Sequence, residues 1–166
     1  QTLVLDKNGN IILLTRAPDL RQAQNTSNIE DIRIWVDKDG SNPTSDLKII
    51  LEELNLKGKK LGVEYESYGL TGRNALRLNK SLENYCSIED KSDLITKLRV
   101  VKSKEEIVYV KKAAELTDKA LNEVWKHAKA GVSESKILAE MNRVIFEGGG
   151  DYPANEFIIG SGKNAL

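Results

Sequence analysis

Residues 101–131, VKSKEEIVYVKKAAELTDKALNEVWKHAKAG, have the spacing of a long helix and of no other regular structure. Ser103 stands at the N-cap and Glu106 follows three residues later, the pairing of a capping box. Ile107, Val110, Ala114, Thr117, Leu121, Val124 and Ala128 recur at steps of three and four. That spacing lines up one apolar stripe, expected to be buried, with Lys111, Glu115, Lys119, Glu123 and Lys126 on the opposite side. Gly131 is suited to a left-handed C-terminal cap. A coiled-coil seam is the competing reading. The stripe lacks Leu or Ile at every core step, however, and another helix follows at once, so a helix packed across a sheet fits better. In that next helix, ESKILAEMNRVIFE, Ser133 is the cap and Ile137, Met141, Val144 and Ile145 point inward, until Gly148, Gly149 and Gly150 break it. An apolar run, Phe157–Ile159, then reads as a strand leading into the turn Gly160-Ser161-Gly162.

Upstream the texture is different. TLVLD and IILLTR form a hairpin about Asn8-Gly9. APDLRQAQ is a short helix with Pro18 in its first turn. DIRIWVD alternates, which predicts a strand with Ile32, Ile34 and Val36 on one face. PTSDLKIILEELNL is an amphipathic helix capped by Thr44 or Ser45, with Leu47, Ile50, Leu51 and Leu54 inward, and Lys57-Gly58 ends it. KLGVEYE is a strand, TGRNALRLNKSL a helix with Leu76 and Leu78 near its inward side, NYCSIED a strand, and SDLITKLRV a short helix or turn. Alternating strands and helices predict an α/β or α+β domain. The expected boundaries are residues 1–97 for this domain and 98–166 for the helical part.

Composition excludes some functions. The net charge is zero, so nothing recommends a nucleic-acid or anionic-membrane partner. No apolar run has the length of a membrane helix. Cys86 is the only cysteine, so no internal disulfide forms; cysteine scarcity fits a cytoplasmic protein. The first residue is Gln1, and the chain stops one step past a glycine turn. Both features suggest an internal piece of a larger protein.

Few residues offer chemistry. GSGKNA lacks the spacing of a phosphate-binding loop. His127, the only histidine, has no partner ligand on its inward side and reads as a surface residue near a helix C-terminus. Cys86 reads as a small buried hydrophobe. Glu64 and Glu66 would share a solvated strand face. Arg73, with Tyr68, sits at a strand-to-helix turn suited to an anionic ligand. These residues do not assemble an active site.

The stretch LRVVKSKEEIVYVKKAAELTDKALNEV, with AGVSESKILAEMNRVIFEGGG and FIIGSGKNAL, resembles the pita-bread hydrolases: aminopeptidase P, prolidase, creatinase and their relatives. LGVEYESYGLTGRNALRL resembles the second half of that family's N-terminal domain. The resemblance implies an α/β fold, a creatinase-type N-terminal domain of mixed sheet and flanking helices. The first helices and strand of an incomplete pita-bread catalytic domain would follow. It implies hydrolysis of a C–N bond in a peptide or small-molecule substrate. In the peptidases two divalent metal ions (Mn, Co or Zn) held by two Asp, one His and two Glu activate a water; creatinase-type relatives use none. Those ligands would lie beyond Leu166, so no catalytic or metal residue is assigned here and the chain alone is expected to be inactive. The two C-terminal helices should then expose an apolar face. Phe157, Ser161 and Asn164 are the residues expected in the wall of the substrate pocket. DYPANEFIIGSGKNAL is similar to the ectoine hydrolase branch, which acts on a small cyclic solute. Relatives often form homodimers in which one N-terminal domain reaches towards the other subunit's site. A catalytically dead binding module on the same fold is the reading from another class, and a free-standing structural domain is a third.

Overall fold

The structure is a computed structural model describing residues 1–165, with the side chains of all of these except Asn164. The chain divides into two units, Gln1–Leu98 and Arg99–Leu166.

The first unit begins with strands β1 (Thr2–Leu5) and β2 (Ile11–Arg16), an antiparallel hairpin. Asp6 organises its turn. The Asp6 carboxylate accepts from the backbone N–H of Asn8 and Asn10 and from the Asn10 side chain, which holds it below the usual carboxylate range. Gly9, at φ +88°, supplies the left-handed step that the turn requires. A 3₁₀ turn (Ala17–Asp19) and helix α1 (Leu20–Thr26) then carry the chain to β3 (Asp31–Trp35), which pairs parallel with β2. Helix α2 (Pro43–Glu53) follows, then β4 (Lys60–Val63), α3 (Gly72–Leu82) and β5 (Ser87–Asp90), with β4 and β5 parallel. Helix α4 (Asp93–Val100) buries no residue. The three-stranded mixed sheet and the two-stranded parallel sheet share one core through α2 and α3. Leu14, Leu51 and Leu82 are its most enclosed members.

Several local expectations are corrected. Asn42, not Thr44 or Ser45, caps α2; its side chain accepts from the Thr44 N–H, and Pro43 occupies the first turn, where a missing donor costs nothing. The same helix ends at Asn55, not at Lys57-Gly58. Asn55 has φ +56°, its N–H bonds Glu52 O, and the Leu56 N–H bonds Leu51 O, a Schellman closure. In β3 the buried face is the reverse of the expected one. Trp35 packs on the core while Ile34 and Val36 are exposed. The register explains this, because Arg33 lies opposite the core residue Leu14 and reaches Glu53 of α2 at 3.1 Å. The face carrying Arg33 and Trp35 is therefore the one turned to α2. Leu76 is exposed, and Leu78 and Leu82 form the inward side of α3.

Two polar residues are buried, Thr15 and Thr44, and the Thr44 hydroxyl is bonded to Asn42 and Ser81. Thr15 is fully enclosed, and its Oγ1 has no hydrogen-bond partner among the described residues. Valine has nearly the same shape without the stranded hydroxyl. Thr15→Val is expected to raise stability by about 1 kcal/mol, read as a higher urea midpoint; a lower midpoint would show that the hydroxyl is bonded.

The second unit is built on α5 (Lys104–His127) and α6 (Glu134–Glu147). The capping box of Ser103 and Glu106 is present in full. The expected stripe is not the buried seam. Ala120, with half-buried Leu116, Glu123, Val124 and His127, makes the covered face; α5 packs on α6, where Ile137 is buried. Ile107, Val110 and Leu121 are exposed. Helix α5 has 24 residues and α6 has 14, so α6 cannot cover all of it. The apolar face expected to be open on these helices is open.

Candidate functional site

The chemistry-bearing candidate is the segment that follows α6. Three glycines turn the chain out of the helix: the Gly149 N–H bonds Phe146 O at 3.0 Å and the Gly150 N–H bonds Ile145 O at 2.9 Å. Tyr152 then stacks edge-on against Phe146, with ring centroids 5.1 Å apart. Residues 157–159 alternate as a strand would, with Phe157 and Ile159 half-buried and Ile158 fully exposed. They are nevertheless not a strand. No neighbouring strand offers them a ladder among the described residues, and alternation alone does not satisfy a backbone.

Ser161 is extended, and its hydroxyl donates to the carboxylate of Glu134 in the first turn of α6. Gly162, at φ +56°, opens a 3₁₀ turn (Gly162–Asn164) closed by the Ala165 N–H on Gly162 O at 3.3 Å. Of the three residues expected in a pocket wall, Phe157 is half-buried and Ser161 exposed; the side chain of Asn164 lies outside the described residues.

The other candidates stay apart from this segment. Glu64 and Glu66 follow β4 in turns, not on it, and the Tyr65 and Glu66 N–H groups are taken by Ser92 Oγ. Arg73 is exposed in the first turn of α3, as is Tyr68 in the loop before it. Cys86, expected to be buried, is half-buried against the core, and that burial pushes its thiol up. His127 does have a carboxylate neighbour: its Nδ1 lies 3.6 Å from Glu123 Oε2 and 3.0 Å from the Glu123 carbonyl. Glu123, expected on the solvent side, is largely covered. Its carboxyl is held below the usual range by Lys126 first, and also by Arg143 and His127. Glu134 escaped the sequence reading because its partner is 27 residues away. The only signal for it was that two short motifs, Gly131-x-Ser133-Glu134 and Ser161-Gly162-x-Asn164, occur in one chain.

Residues 1–101 match the Creatinase/Prolidase N-terminal domain, and residues 108–166 match Metallopeptidase family M24. The chain belongs to the creatinase/prolidase family of pita-bread hydrolases. It is 25% identical to a Xaa-Pro dipeptidase of Pyrococcus horikoshii over 99% of this chain and 49% of that protein. It is 27% identical to an ectoine hydrolase of Halomonas elongata over 63% of this chain and 28% of that one. An X-Pro aminopeptidase structure from Thermotoga maritima superposes with a TM-score of 0.68 at 20% identity. That match covers 88% of this chain and 39% of the other, and shows the fold, including the creatinase-type N-terminal domain. The chain thus spans half or less of the length of these relatives. A metal centre of the kind the family name implies does not fit the residues present: among those described, no three His, Cys, Asp or Glu side chains gather to hold an ion. No described helix is long and apolar enough to cross a membrane.

Proposed function

We propose that this chain is part of a hydrolase that cleaves C–N bonds, acting on peptides with proline after the first residue. The observation that carries this reading is the likeness to a Xaa-Pro dipeptidase along nearly the whole chain. In this reading residues 1–97 form the creatinase-type domain and residues 98–166 begin the catalytic domain. The intact protein binds two divalent metal ions through residues outside 1–166, works as a cytoplasmic homodimer, and uses Phe157, Ser161 and Asn164 in the pocket wall. Residues 1–166 alone are inactive, because they supply neither metal ligands nor an activated water. The exposed apolar face of α5 supports this, being large for a helix pair that has all its packing partners.

A second reading, hydrolysis of a small cyclic solute, is favoured by the ectoine hydrolase likeness. One assay separates them. The intact protein is given a Xaa-Pro dipeptide or ectoine, each with and without a chelator, beside residues 1–166 alone. Chelator-sensitive release of proline, with no turnover by residues 1–166, is the expected result. Turnover of ectoine but not of the dipeptide would establish the second reading. Loss of both activities in a folded intact protein would move it to the non-catalytic binding modules.

A further inference from the structure

We propose that Glu134 is the positioning residue of the closing turn, holding Ser161, and with it residues 162–165, against the first turn of α6. The inference rests on the reading above, in which that turn contributes to the pocket wall, and adds the residue that sets its place.

Three observations carry it. First, the contact is unlike any other in its unit. Among the described residues of Arg99–Leu166, every other side-chain hydrogen bond joins residues at most four apart. The Ser161–Glu134 bond spans 27. Second, the segment it holds has little else. No backbone–backbone bond ties residues 151–161 to the helices among those described, leaving the Tyr152–Phe146 ring contact near its start and the half-burial of Phe157 and Ile159 as the other restraints. Third, Glu134 is free for the task. Helix capping at this end is done by Ser133, whose hydroxyl accepts from the Ser135 N–H at 3.2 Å. The Glu134 carboxylate is thus an acceptor on a helix terminus whose dipole favours negative charge, half-buried and facing a hydroxyl. The two motifs Gly131-x-Ser133-Glu134 and Ser161-Gly162-x-Asn164 are in this view two sides of one contact.

The test uses the intact protein with E134A, S161A, the double variant and E134Q. Two quantities are read: hydrogen exchange at the amides of residues 162–165, and KM and kcat on a Xaa-Pro dipeptide. A hydrogen bond to a charged group is worth enough to speed local exchange about tenfold when lost. E134A and S161A should each show that acceleration and raise KM by about the same factor, with kcat changed less than twofold. The double variant should match the single ones, because one bond is lost either way. E134Q, which keeps a carbonyl acceptor, should stay near the parent. Unchanged exchange in E134A and S161A, or additive effects in the double variant, would overturn the proposal even if the enzyme is active. Faster exchange with unmoved KM would overturn the role in substrate placement. A parent inactive on the dipeptide, with exchange responding as expected, would leave the clamp standing and remove the peptidase reading.

Discussion

Replacing Leu82 with alanine lowers the stability of the first unit by about 3 kcal/mol. Leu82 has no exposed surface and sits where α3 meets the core shared by both sheets. Its removal deletes apolar contacts and leaves a cavity that the strands and α2 cannot close without moving. The same change at Leu76, 73% exposed on the same helix, is expected to shift stability by no more than about 0.5 kcal/mol. The measurement is urea unfolding followed by Trp35 fluorescence, since Trp35 packs on this core. It is made in a Trp125→Phe background, because Trp125 is exposed in the other unit. Equal effects at Leu76 and Leu82 would mean that the helix is rotated from the orientation described.

That pair also shows what the sequence could and could not tell. Residues 76 and 78 are about 200° apart on a helix, so they cannot share a face; 78 and 82 can. The inward side of α3 was therefore legible to a stricter use of periodicity. The face of β3 was not. Ile32, Ile34 and Val36 alternate as a buried face should, but register with β2 and the reach of Arg33 to Glu53 decide which side meets α2. Helix α5 shows a third kind of limit. Its period and its capping box are local and were readable. Which of two apolar faces is covered depends on the length and placement of α6, which no local pattern encodes. The final turn was readable as glycine punctuation, whereas Glu134, acting across 27 positions, was visible only in three dimensions. The family was legible because its motifs are short, ordered and numerous over the last seventy or so residues.

Alanine at Gly150 and alanine at Gly149 destabilise the end of α6 for different reasons. A Cβ on Gly150 would stand 2.9 Å from the Ile145 carbonyl oxygen and 2.9 Å from Ile145 Cγ2. That oxygen is the acceptor of the Gly150 N–H, so relieving the crowding stretches the bond that closes the helix. The expected cost is about 2 kcal/mol. Gly149 has open space around it but φ +79°, where an alanine costs about 1 kcal/mol through backbone strain alone. The two causes part on a second substitution. Asparagine tolerates the left-handed region, and Asn55 already occupies the equivalent position at the end of α2, at φ +56° in the same pattern of hydrogen bonds. Gly149→Asn should therefore recover most of what Gly149→Ala loses, while Gly150→Asn should be at least as damaging as Gly150→Ala. Hydrogen exchange at the last turn of α6 and the thermal midpoint read both. Recovery by asparagine at position 150 would show that conformation, not close approach, is what requires glycine there.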